Sequence, residues 1–294
     1  MNVLQRSATR SARQPSAAIQ PDSKVTWRFP KKLARVAASF GIAAAFVCVP
    51  PAARVLAQSA QAAEFKDTID PDAVEALNKM AAYLYTLKSF QVISNATNDD
   101  VLDDGEIIQN TSKVDLLAAK PDRLRVEVTS DDRHRLYLYD GKDFSVWARL
   151  VNYYATVPAP PTIGKLLDVA YDKYDIDLPL IDLFRWGKDK DDAKKLTSAI
   201  DIGPSTVEDV TCEHYAFRQK GVDWQIWIQL GEFPLPRKLV IRTLTDEARP
   251  QHTDTLTWNL APSFNDDAFV FNPPPDAKRI VLAQENADTT EKEQ

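Results

Sequence analysis

Apolar residues at Val74, Leu77, Met80, Ala81, Leu84 and Leu87 recur at three- and four-residue steps. That spacing lays one apolar stripe on a helix and predicts one over residues 70–87. Asp70 supplies a capping carboxylate, and Pro71 takes the first helical position, where its missing N–H costs nothing. The pattern then switches to alternation. Leu124, Val126 and Val128 alternate with Arg123, Arg125 and Glu127, the mark of a strand with one buried and one wetted face. Similar runs predict strands over 90–96, 106–116, 135–139, 143–150 and 152–155. Asp103-Asp104-Gly105, Lys120-Pro121-Asp122 and Asp140-Gly141 supply the turns between them.

Val157-Pro158-Ala159-Pro160-Pro161 stops the strands. Thr162 then caps a helical stretch with Ile163, Leu166, Leu167 and Ala170 on one side. A second short helix is expected over 179–186 and is ended by Gly187, before a charged linker over 188–195. The last third returns to strands at 198–202, 206–209, 211–219, 223–230, 237–244, 253–260 and 269–271. Beyond Pro273-Pro274-Pro275 the polar tail is expected to fray. Short connections favour an antiparallel meander, and no β-α-β alternation supports a doubly wound nucleotide fold.

The first sixty residues follow another pattern. Residues 24–35 carry five positive charges and no negative one, and residues 36–49 form an uncharged apolar run of 14. Pro50-Pro51 and the small residues Ala57, Ala60, Ala62 and Ala63 follow. This is the layout of a secretory signal peptide, with Ala60-Gln61-Ala62 as its cleavage site. The run is shorter than the ~20 residues of a membrane span, and an uncleaved anchor helix is the alternative. Residues 1–23 read as a long polar lead-in or as lying upstream of the true start. Cys48, preceded by bulky Phe46 and Val47, reads as part of the apolar run rather than a lipidation site. The expected division is a leader at 1–63, one domain at 64–282 and a disordered tail at 283–294.

Removing the leader changes the charge. The remainder holds 27 basic and 41 acidic residues, a net charge of −14. Such a surface repels phosphate backbones, so nucleic acid is not an expected partner, and adhesion to anionic headgroups is disfavoured. Cys212 is then the only cysteine, which excludes an intramolecular disulfide and fits a buried strand position.

Candidate chemistry is sparse. His134, His214 and His252 each stand alone. The chain has no HExxH, no paired cysteines, no Gly-x-Ser-x-Gly elbow and no glycine-rich phosphate loop, and only 8 glycines in all. Cys212 and His214 share one strand face and are the best nucleophile–base or metal candidates, with ordinary packing the favoured reading. Acidic pairs at 99–100, 103–104 and 266–267, with the run 189–192, fit solvated loops better than calcium sites. No catalytic residue, metal or cofactor is therefore expected. Along 223–230, Trp224, Ile226, Ile228 and Leu230 point one way and Gln225, Trp227 and Gln229 the other. One face is wholly apolar, and so many strands offer more apolar surface than three helices readily cover.

Seven stretches carry a resemblance over residues 70–280: DPDAVEALNKMAAYL from Asp70, KPDRLRVEV from Lys120, LYLYDGKDFSVW from Leu136, YDIDLPLIDLF from Tyr174, VEDVTCEHYAF from Val207, WQIWI from Trp224 and PLPRKLVI from Pro234. The chain resembles a family of predicted periplasmic proteins of unknown function, related to the outer-membrane lipoprotein carrier superfamily. The resemblance implies a mainly β (α+β) fold: a half-open, strongly curved antiparallel sheet of about 11 strands, with an N-terminal helix and two short lid helices on the concave side. It implies a periplasmic location and a lipid or acyl-chain ligand, and no catalytic residue. The candidate ligand-binding residues are Leu136, Leu138, Val146, Trp224, Ile226, Ile228 and Trp258 on the sheet, with Ile163, Leu167 and Leu183 on the lid. The alternative is an envelope protein–protein interaction or stress-sensing module that uses the same sheet to dock a protein partner.

Overall fold

The computed structural model describes residues 68–187 and 192–282. The expected leader at 1–63, the tail at 283–294 and the first half of the charged linker lie outside the described residues.

The first helix, α1 (Pro71–Thr86), starts where the sequence predicts. Asp70 Oδ1 accepts from Asp72 N at 2.9 Å and Pro71 opens the first turn. Six strands follow: β1 (Ser89–Val101), β2 (Ile107–Ala119), β3 (Arg123–Ser130), β4 (His134–Tyr139), β5 (Asp143–Ala148) and β6 (Tyr153–Pro158). Gly141 turns β4 into β5 with φ +90, and a Cβ there would meet Arg123 Nη1 at 2.6 Å, so glycine serves both the turn and the close approach. Helix α2 (Ile163–Tyr174) is capped by Thr162, whose Oγ1 accepts from Lys165 N. The second predicted helix is a single 3₁₀ turn, Ile181–Phe184, hereafter the lid turn. A second group of strands completes the order: β7 (Leu196–Val207), β8 (Val210–Gln219), β9 (Val222–Gln229), β10 (Pro236–Thr243) and β11 (Gln251–Asn259), then the two-residue β12 (Lys278–Arg279).

Among the described residues, twelve strands form one open, curved sheet in the order β12-β6-β5-β4-β3-β2-β1-β11-β10-β9-β8-β7. The two groups join where β1 pairs antiparallel with β11, Val92 facing Trp258. Among the described residues, pairings between sequence-adjacent strands are antiparallel, β12 runs parallel to β6, and a single parallel bridge joins Ile69 to Ala199.

Three expectations need correcting. Residues 198–202 and 206–209 are one bulged strand, β7, which ends at Val207; Glu208 and Asp209 form the turn, both with positive φ. Residues 269–271 are not a strand, because Phe269 closes a 3₁₀ turn (Asp266–Phe269) and the prolines beyond have no N–H to donate to a ladder. Past those prolines the chain is held rather than frayed: Lys278 N donates to Asn152 O and Ile280 N to Tyr154 O, at 2.9 and 2.8 Å.

The sheet has two faces with different fates. The inner face, from Tyr139, Leu124, Leu116 and Phe90 to Leu239, Ile226 and Phe217, joins Met80 and Leu84 of α1, Ile163, Leu166 and Leu167 of α2, and Leu183 of the lid turn in one buried apolar cluster. This burial is the chief stabilising term of the fold. Phe90 anchors the middle, its ring 5.8 Å from that of Phe184 and 5.5 Å from that of Trp258.

Candidate functional site

Of the sequence-predicted ligand residues, Trp224, Ile226 and Ile228 lie side by side on the inner face of β9. Val146 and Trp258 flank the same cluster, and Ile163, Leu167 and Leu183 face it from the helical layer. Leu136 and Leu138 do not belong with them. In the β4–β5 register Val146 faces Tyr137, whereas Leu136 and Leu138 face Trp147 and Ser145. Side chains alternate across a strand, so Tyr137 and Tyr139 point inward and the two leucines outward. The apolar surplus expected on the inner face is not exposed either, since Trp224, Ile226 and Ile228 are 0–4 % exposed beneath the helical layer.

The inner face is not uniformly apolar. Across β1 and β11 it carries a polar seam absent from the sequence reading. Ser94 Oγ donates to Asp254 Oδ1 at 2.5 Å, His252 Nε2 to Asp254 Oδ2 at 2.6 Å, and His252 Nδ1 to Asn98 Oδ1 at 2.5 Å. With the Asn98 carbonyl oxygen turned toward Nδ1, both ring nitrogens donate, as they do in the imidazolium form. The electrostatics agree. Burial opposes the His252 charge, but Asp254, by charge and hydrogen bond, outweighs it and raises the pKa. Burial likewise opposes the Asp254 charge, and His252 and Ser94 overcome it and hold that carboxyl below its ordinary value. Ser94 is bonded to the carboxylate rather than to the imidazole, so the trio lacks the serine-to-histidine contact of a nucleophilic triad.

The lid turn brings Asp182 near enough to this seam to feel the charges of Asp254 and His252. Asp182 is buried and its Oδ1 has no hydrogen-bond partner, as is also true of the Trp224 indole N–H further along the same face. Burial, with Asp177 adding repulsion, pushes the Asp182 carboxyl up to about 7. Leu180, just before the turn, holds φ +59, a region costly for a side-chain-bearing residue. The turn is secured by Arg185, which donates to Asp168 of α2 at 2.9 Å, and by Gly187, whose missing Cβ lets the chain pass Ala81 of α1.

The outer face holds the remaining chemistry. A half-open pocket of about 300 Å³ lies between the sheet and the C-terminal segment, lined by Leu138, Ser145, Tyr154, Phe269, Phe271 and Arg279. Cys212 and His214 share this face, as their spacing predicts. The Cys212 thiol is fully buried, donates to Val210 O and is pushed up by burial, the reverse of what a nucleophile requires. His214 stacks on Trp227 at 3.9 Å and bonds to Gln225. Glu127, Arg125, Arg149 and His134 form a surface ion cluster, with Glu127 bonded to His134 at 2.7 Å and to Arg149 at 2.6 Å. Among the described residues, no group of three or more His, Cys, Asp or Glu is arranged to hold a metal ion, and no helix is long and apolar enough to cross a membrane.

Several solved structures are similar to this chain at low sequence identity. The lipoprotein LppX of Mycobacterium tuberculosis is 12 % identical, with 67 % of this chain and 100 % of that one covered and a TM-score of 0.42. The LolA superfamily protein NE2245 of Nitrosomonas europaea is 11 % identical, with 68 % and 97 % covered and a TM-score of 0.32. An uncharacterized conserved protein of Thermus thermophilus is 12 % identical, with 71 % and 98 % covered and a TM-score of 0.41. No curated protein matches the sequence. The sequence pattern of one family, described as predicted periplasmic protein (DUF2092), matches residues 73–283. With most of its length inside that match, the chain belongs to this family of predicted periplasmic proteins.

Proposed function

We propose that the protein is a periplasmic binding or carrier protein for a lipid or acyl-chain ligand, exported by the leader at 1–63, with no catalytic step of its own. The observation that carries this reading is the inner face. One apolar cluster draws on both halves of the sheet, beside the polar seam of β1 and β11, yet it is closed by separate short segments, α1, α2 and the lid turn, rather than by a second sheet. The lid side of that layer rests on a strained leucine, a buried acid with an unpartnered oxygen and the Arg185–Asp168 ion pair. In this reading the layer parts from the rest of the fold as a local unit, giving up the apolar contacts of Ile163, Leu167 and Leu183. The ligand enters when α2 and the lid turn swing away, and its hydrocarbon then meets Val146, Trp224, Ile226, Ile228 and Trp258 in place of the helices.

Titration with the apolar dye 1-N-phenylnaphthylamine tests this. Saturable binding with one site per chain, competed by a lysophospholipid, is expected. Val146→Trp, which fills the inner face at a half-buried position, should weaken binding at least about tenfold, equivalent to ~1.4 kcal/mol, while the unfolding transition stays cooperative. Absence of saturable binding would overturn the reading.

A further inference from the structure

The seam near the lid turn is balanced in charge. His252 as imidazolium and Asp254 as carboxylate cancel, and Ser94 and Asn98 complete their hydrogen bonds. The seam is therefore satisfied within itself. Asp182 is what it fails to satisfy: the acid is brought down by the turn, buried, and left with one oxygen unpartnered. A protonated carboxyl adds no charge to this balanced pair. A carboxylate adds an uncompensated negative charge in an apolar surrounding, which the turn escapes by lifting into water.

We infer that Asp182 is a proton-operated latch: with its proton the lid turn seats near His252 and Asp254, and without it the turn is released and the inner face of the sheet is uncovered. This rests on the carrier reading only for what the uncovered inner face takes up.

Every element packed on the turn contributes to the balance. β11 presents His252 and Asp254, and β1 presents the neutral Ser94 and Asn98. The flanking chain brings Asp177, which repels Asp182, and Arg185, which attracts it but is shared with Asp168 of α2. α1 meets this region through Ala81 at Gly187, while its Glu75–Lys79 pair lies exposed at the surface.

The signs follow. Asp182 has an ordinary value of 3.8 when released and about 7 when seated. Seating therefore takes up a proton between these values, and its stability falls as pH rises through that window, then levels off. His252 is raised, so its contribution is complete below its ordinary 6.5 and fades only as pH climbs through the higher seated value. Asp254 is lowered, so its contribution is lost only in acid below its ordinary 3.8. Between about pH 4.5 and 6.5 the dependence thus belongs to Asp182.

Hydrogen exchange of the amides of residues 178–187 at pH 4.5 and 6.5, corrected for intrinsic chemistry, reads the latch without any ligand. Protection should fall at least about tenfold across this interval, since each unit of pKa difference is worth a factor of ten. Asp182→Asn should flatten the change to less than about twofold, with Asp182→Ser as a second variant if the amide disturbs folding. Protection that does not change with pH, or an equal fall in both variants, overturns the latch. Uptake of 1-N-phenylnaphthylamine at the same two pH values separates the two claims. Equal uptake rates in the wild type count against the latch. No uptake at either pH counts against the carrier reading, while the exchange result still decides the latch.

Discussion

Two clusters in this molecule use the same groups and differ in consequence. On the outer face, Glu127 bonds to His134 at 2.7 Å and to Arg149 at 2.6 Å, with Arg125 alongside. On the inner face, Asp254 bonds to His252 at 2.6 Å, with Ser94 and Asn98 alongside. Bond lengths alone do not separate them. Water does. Outside, Arg149 and its neighbours remain in contact with solvent, so an excess charge is screened and each ion pair is worth little. Inside, Asp254 is nearly inaccessible and the next carboxyl, Asp182, is buried near it, so each added charge has to be neutralised or expelled. A histidine–carboxylate pair is thus ornamental at one site and a structural commitment at the other.

His252→Ala breaks the comparison most severely. It leaves the Asp254 carboxylate buried with Ser94 as its remaining partner, and should cost about 3–5 kcal/mol in urea unfolding. Glu127→Gln is the matched outer-face change and should cost about 0–1 kcal/mol, because its partners turn to solvent. For Glu127, burial is outweighed by the His134 hydrogen bond and the charges of Arg125 and Arg149, so its pKa is lowered. Its small contribution is therefore present above the ordinary carboxylate value and is lost as pH falls through the lowered one. Equal losses for the two variants would erase the distinction between the faces.

Much of the fold was legible because local rules and tertiary structure agree. The Asp70-Pro71 cap, the Thr162 cap and the Asp140-Gly141 turn all sit where local chemistry puts them. The alternation along β9 correctly placed Trp224, Ile226 and Ile228 on one buried face. The alternation along β4 misled, because its two faces are both apolar: Tyr137 and Tyr139 face in, while Leu136 and Leu138 face out, Leu138 beneath the C-terminal segment. Only the pairing with β5 decides which set is inner, and pairing is not a local property. The C-terminal segment was hidden for a similar reason. Its two-residue β12 carries no strand pattern of its own and exists because β6 offers an edge.

The polar seam had a readable signal. His252 and Asp254 share the parity of Leu256 and Trp258 on β11, so polar groups stand on a face that is otherwise apolar. Treating each histidine as solitary missed a partner two residues away. Asp182 was not legible in this sense, because its burial depends on a single 3₁₀ turn landing near a seam about seventy residues further along the chain.

Native mass spectrometry of the gently purified protein tests the central claim most directly. The account predicts a population heavier than the bare chain by the mass of one acyl-chain molecule, released as the collision energy rises and identified in the organic extract. A chain that is always bare, from every preparation and after incubation with lysophospholipid, would contradict it.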